Sequence, residues 1–343
     1  MTEDAGEQVF PSEPCGSDNA ETELQRALKE STCCRNQVVV VDCSEFPQPT
    51  EELFKHEETV LESVAKLEVS LGIKVDVHRL ALVFTPSNSH LGLPAEGAAI
   101  VDIDTGSDDP HLQAMIAINR GLQIALGSDD LSTQKRIAHE TTHVALRTWC
   151  LRENVNLDDP SLSLFSESLA VLFEHFGQEV DLESDAMVGH AMSAIPDTFP
   201  RVLGAEVTDF FLPAFWSYLI TMSGDEKLPF DMFRQVARRV GGPAPDSQQV
   251  VDEIDYGNRD TRALSEQLIR HLRATVIELS SSPLSVNDAT QASNTVLQRD
   301  HEVPETTIVA IRDWLQGQHG LDLDVEWAQW RDQVVLMAEF SST

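Results

Sequence analysis

RIAHETTHVALR, residues 136–147, is the stretch from which the rest of the chain is read. His139 and His143 stand four residues apart, and Glu140 directly follows the first. On an α-helix, positions i and i+4 project from one face, about 6 Å apart. Two imidazole nitrogens can then meet one metal ion. Glu140 lies about 100° round the helix, so it is not a natural third ligand on that face. It can instead take a proton from a metal-activated water, whose pKa falls towards about 7 beside zinc. A carboxylate so placed can later deliver that proton to a leaving amine. Without a metal, the same residues are two satisfied histidines, one hydrogen-bonded to Glu140 or to a threonine. The surroundings favour the metal, because Ile137, Val144 and Ala145 occupy other faces of the helix, turned to a core.

Catalytic zinc commonly keeps three protein ligands and one open position. LFSESLAVLFEHF (164–176) offers Glu167 and Glu174 on a second helix. If the first helix ends near Arg152, His143 lies about 13 Å from that end. If the second begins at Ser161, Glu167 lies about 9 Å into it. ENVNLDDP turns the chain between them, and two antiparallel helices bring these side chains to nearly one level. Glu167 is therefore the expected third ligand. Glu174 sits two turns further on the same face, where it can accept a hydrogen bond from a ligand histidine. Its other reading is a solvated helix position. A purely structural zinc site would close with a fourth protein ligand, and none is apparent.

Outward from these helices, the sequence predicts strands before and helices after. QVVVVDCSEF (37–46), VDVHRLALVFT (75–85), AEGAAIVDIDT (95–105) and GLQIALGS (121–128) are strand candidates, and HLQAMIAIN is ambiguous. Thr50–Leu71 carries apolar residues at helical spacing and ends at Gly72. Ser132 is the expected N-cap of the HETTH helix. Helices are expected at 161–178, about 206–222, 229–240, 261–279, 304–317 and 324–339. The expected class is α+β: a small mixed sheet packed on the HETTH helix, followed by a mainly helical lobe. Residues 1–20 read as a disordered acidic start and 280–294 as a linker. A domain over 21–279 lies between them, with a strand-rich part at about 37–128, metal helices at 132–178 and a helical lobe at 179–279. A helical segment over 295–343 follows the linker.

Composition excludes several function classes. The 343 residues carry 57 acidic and 24 basic side chains, for a formal net charge of −33. Such a surface repels phosphate backbones, so nucleic acid is not an expected partner. No apolar run approaches the roughly 18 residues of a membrane span. The start, MTEDAGEQVFPSEPCGSDNAE, has neither a basic nor an apolar signal segment. The five cysteines, Cys15, Cys33, Cys34, Cys43 and Cys150, are odd in number and lack CxxC spacing. Reduced thiols and a cytoplasmic location are expected. An acidic chain with six lysines also suits a salt-rich cytoplasm.

HETTH followed by SESLAVLFEH, with Glu167 placed 24 residues after His143, resembles the gluzincin metallopeptidases. That family carries HExxH and then ExxA on the next helix. Glu167 with Ala170 matches ExxA, and Glu174 stands where many members carry another glutamate. LPAFWSYLITMSGDEKLPFDMFRQVARRVGG resembles the helical segment after the metal site in those domains. The likeness covers roughly residues 70–275. It implies a zincin-like fold, a bound Zn2+ and hydrolysis of a peptide or protein substrate without a covalent intermediate. It also implies an edge strand that pairs with the substrate backbone, here AEGAAIVDI. One feature departs from the family. Aminopeptidase-like members place a tyrosine before the later helix to stabilise the oxyanion, and Phe210 or Phe211 stands there instead. The chain has two tyrosines, Tyr218 and Tyr256. Tyr218 falls inside the helix and reads as packing; His190 is another candidate donor. Loss of one oxyanion donor costs about 2.7–4 kcal/mol. A gluzincin-like protein that binds a peptide or protein partner without turnover is the alternative. The intact Glu140 argues for catalysis, because binding alone needs no base.

Overall fold

A computed structural model of the protein describes residues 38–42, 48–75, 77, 80–85, 98–102, 114–119, 130–156, 159–174, 195–204, 207–243 and 301–341. By contact, these residues fall into two compact units, each discontinuous in sequence. One holds the described residues up to Leu61 and those from 77 to Ile137. The other holds residues 62–75, those from Ala138 to 243, and those from 301 onwards.

The first unit contains four short strands: β1 (Val39–Asp42), β2 (Leu80–Thr85), β3 (Ala98–Asp102) and β4 (Ala114–Asn119). They pair in the order β1-β2-β4-β3. β2 runs parallel to β1 and to β4, with Val40 opposite Leu82 and Leu82 opposite Ile116. β3 is antiparallel to β4, with Ile100 opposite Ile116. Side chains alternate along a strand, and Val40, Leu80, Leu82, Phe84, Ile116 and Ile118 are buried accordingly. Helix α1 (Thr50–Leu71) begins in this unit. There His56 is buried, with Nε2 2.8 Å from Gln48 Oε1 and its ring 5.0 Å from that of Phe84. The Val38 N–H donates to Glu57 Oε1. α1 stops at Gly72, whose φ of 66° is the left-handed conformation that ends helices.

The second unit is built on helices. α2 (Asp130–Arg152), which belongs to this unit from Ala138 on, carries HETTH, and α3 (Ser163–Glu174) carries Glu167 and Glu174. A five-residue π-helix (Val207–Phe211) leads directly into α4 (Leu212–Ser223). α5 (Leu228–Val240), α6 (Glu305–His319) and α7 (Leu323–Ser341) follow. β5 (Val202–Leu203) and β6 (His301–Glu302) form a two-residue pair that ties 195–204 to the start of the last segment.

The turn between α2 and α3 sets the level of their side chains. Asn154, at φ 56°, takes the left-handed position, while Val155 N–H bonds Cys150 O and Asn154 N–H bonds Leu151 O. That paired pattern closes the helix end. Asp159 then accepts from Ser161 N–H at 2.8 Å and from Gly242 N–H at 3.0 Å. Burial works against its charge, but these bonds outweigh it and hold Asp159 below the ordinary carboxylate range. Gly242 leaves room for this contact: a Cβ would stand 2.7 Å from Asp159 Oδ2 and would make that carboxylate shift.

Behind the hairpin lies an aromatic core. Trp149 meets Phe233 at 5.1 Å, and Phe165 stacks on Trp216 at 6.1 Å. Trp216 Nε1–H donates to Ser168 Oγ at 2.9 Å, which ties α4 to α3. The last two helices share this core. Trp327 packs on Phe215 at 4.9 Å and donates through Nε1–H to Pro196 O. Thr307 donates to Ser161 O.

The α+β expectation is corrected. Among the described residues helix far outweighs strand. The β-branched and apolar runs that predicted a mixed sheet packed on the HETTH helix supply, among the described residues, strands of four to six residues. The long elements among the described residues from Asp130 onwards are all helices. The N-cap expectation also changes, because α2 begins at Asp130 and takes Ser132 inside the helix. The strand expected at 121–128, the helix at 261–279, the linker at 280–294 and the N-terminal 1–20 lie outside the described residues. Among the described residues, no helix is long and apolar enough to cross a membrane.

Candidate metal centre

α2 and α3 bring His139, His143 and Glu167 together. His139 Nε2 lies 3.2 Å from His143 Nε2 and 3.1 Å from Glu167 Oε1. His143 Nε2 lies 3.4 Å from Glu167 Oε2. One ligand atom from each of the three residues fits within 4.8 Å of the others. Three ligands bound to zinc at about 2.0–2.1 Å in a tetrahedron stand about 3.3–3.4 Å apart. The two imidazole nitrogens are spaced like such an edge, and the Glu167 carboxylate meets one with each oxygen, so the donor types and their closeness suit a zinc ion. Glu167 is 41% exposed and the two imidazoles 15% and 18%, so the carboxylate is the most accessible of the three groups.

The remaining ring nitrogens are held from behind. His139 Nδ1 lies 3.1 Å from Glu174 Oε2, and His143 Nδ1 lies 3.2 Å from Ser166 Oγ. Such partners fix the tautomer and the ring plane, and leave the two Nε2 atoms turned to one another and to Glu167. Ser166 is a residue the sequence reading missed. It precedes Glu167 directly, and only the approach of α2 to α3 turns it towards His143. We expect Ser166→Ala to weaken zinc binding by about 10-fold and no more than about 100-fold. Isothermal titration with zinc against a competing chelator measures this, and an unchanged affinity would remove Ser166 from the site.

Without a metal the cluster holds a proton. Burial alone would lower the pKa of His139, but hydrogen bonds to Glu167 and Glu174 outweigh it and raise His139 to about 10. Burial would raise Glu167, and the two histidines outweigh that, holding its carboxyl well below the ordinary carboxylate range. Zinc binding must then displace the proton, as it does wherever ligands are protonated in the free protein.

Glu140 is buried, at 8% exposure, and its charge acts on His139. Asp209 is a second residue the sequence reading missed. It lies on the π-helix, next to the phenylalanines that stand at the expected tyrosine position. Burial pushes its carboxyl above the ordinary range, and Glu167 and Glu174 add to that. Tyr218 does not belong to the cluster. Its O–H donates to Glu326 Oε2 at 3.0 Å, and burial and that carboxylate push its pKa up to about 12. Phe211 is buried, Phe210 is 39% exposed, and His190 and Tyr256 lie outside the described residues.

No family model matches the chain, and neither a curated protein nor a solved structure matches it.

Proposed function

We propose that this chain is a zinc-dependent peptide-bond hydrolase of the gluzincin kind. His139, His143 and Glu167 hold the metal, and Glu140 is the general base. The observation that carries this reading is the meeting of His139 and His143 Nε2, 3.2 Å apart, with the Glu167 carboxylate, whose Oε1 lies 3.1 Å from the first and Oε2 3.4 Å from the second. Zinc held there would polarise a carbonyl and lower the pKa of water. Glu140 takes a proton from the attacking water and passes it to the leaving amine. Glu174 and Ser166 keep the two imidazoles in register. The substrate is a peptide or protein. The formal charge of −33 steers cationic peptides inward and repels nucleic acid. An odd number of cysteines without CxxC spacing suits a reducing cytoplasm.

The bond from Tyr218 to Glu326 favours a second reading. With that tyrosine engaged elsewhere, the chain fits a protein that binds a peptide or protein partner with little or no turnover. A peptide-library digest separates the two. The hydrolase reading expects cleavage that stops on adding a chelator and returns with zinc. Zinc-loaded protein that binds peptides and cleaves none supports the binding protein. Cleavage indifferent to the chelator removes zinc from the reaction.

A further inference from the structure

Residues 153–162 join α2 to α3, and two elements outside this hairpin grip them. α5 arrives from one side. Arg238 in its last turn donates through Nε–H to Glu153 Oε2 at 2.7 Å, and its guanidinium lies 5.5 Å from the centre of the Trp149 ring. Just past the end of α5, Gly242 bonds the joining stretch twice. Its carbonyl accepts from Asn156 N–H at 2.8 Å, and its N–H donates to Asp159 Oδ2 at 3.0 Å. Val155 and Pro243 form an antiparallel bridge alongside. Gly241 lies so close that a Cβ there would stand 2.7 Å from Val155 Cγ1. α6 reaches the same stretch through Thr307, which is buried and donates to Ser161 O at 3.1 Å. The other oxygen of Asp159, Oδ1, accepts from Ser161 N–H at 2.8 Å, just before α3 starts. One carboxylate thus ties the exit of α5 to the entry of α3. Glu167 stands one helical turn, about 6 Å, into α3. Among the described residues its carboxylate meets only His139 and His143, so its place is set by where α3 stands along its axis. Burial of Phe165 and Leu169 behind it is non-directional. The bonds of Asp159 have a fixed length and direction.

We propose that Asp159 is a positioning residue of the metal centre: by pinning the start of α3 to the end of α5, it sets the level at which Glu167 meets His139 and His143, and with it the affinity for the metal. This rests on the metal centre of the hydrolase reading and needs no turnover. The test uses full-length wild type, Asp159→Asn, Gly242→Ala and the double variant, each below its melting temperature. Zinc affinity is measured against a competing chelator, and the visible absorption of the cobalt-loaded protein is recorded. Asp159→Asn puts an N–H group where an oxygen accepted, and Gly242→Ala sets a Cβ against Asp159 Oδ2. Each should weaken zinc binding by about 10-fold and diminish the cobalt band of a tetrahedral site. Because both act through one bond, the double variant should bind no more weakly than the weaker single variant. Trp327→Phe, which loses a hydrogen bond to Pro196 O in the same unit, is the control for general loss of stability and should keep both readouts. If Asp159→Asn does not fold, Gly242→Ala compared with Trp327→Phe decides alone. Unchanged affinity and spectrum in the turn variants would overturn the inference, as would a loss that Trp327→Phe shares or effects that add in the double variant. Wild type that binds neither zinc nor cobalt removes the metal centre itself, and the inference with it.

Discussion

Glu140→Gln will keep its zinc and its fold while hydrolysis falls by about 10²- to 10⁴-fold, the usual share of a general base. The substitution keeps the size of a buried side chain and most of its hydrogen-bonding capacity. It removes the one property that metal binding does not need, the ability to take a proton. None of the three separations within the metal triangle involves a Glu140 atom, so the triangle itself is untouched. Zinc content, thermal melting and peptide turnover, measured side by side with wild type, check this. Equal turnover by both proteins would take Glu140 out of the reaction. Loss of zinc in the variant would make it a structural residue instead.

Glu167→Ala should remove most zinc binding, whereas Glu174→Ala should weaken it by about 10- to 100-fold at most. The two carboxylates meet opposite sides of one imidazole. Glu167 faces His139 Nε2 and also reaches His143, while Glu174 faces His139 Nδ1. Only the first lies where a metal ligand is needed. In metal-free protein, both carboxylates also stabilise the proton on His139, so each alanine variant should lower its pKa from about 10. Zinc titration and an NMR titration of His139 separate the two roles. If Glu174→Ala abolishes zinc binding and Glu167→Ala does not, the ligand assignment is reversed.

Much of this cluster is readable in the sequence because it depends on local geometry. Four residues make about one helical turn, so His139 and His143 must share a face. Glu167 is readable because helices rise at a fixed rate. α2 ends at Arg152 and α3 starts at Ser163, close to the ends from which the level match is reckoned. Ser166 and Asp209 are not readable in the same way. Ser166 reaches His143 only through the particular rotation of α3 against α2. Asp209 arrives on a π-helix, whose wider turn breaks the 3.6-residue period that sequence patterns assume. The class was misjudged for a different reason. Runs such as QVVVVDCSEF give strands of the right type and place, but their length in the fold is set by pairing. Among the described residues, β1 covers Val39–Asp42 of that run. The tryptophans of the last helix show the converse. Trp327 fills a gap between Phe199 and Phe215, contacts that no pattern within residues 323–341 announces.

The zinc content of protein purified without added metal is the most direct measurement. Elemental analysis should find about one zinc per folded wild-type chain and almost none in His139→Ala. Folded wild-type protein that carries no zinc, and takes up none on titration, would contradict the metal centre and the hydrolysis built on it.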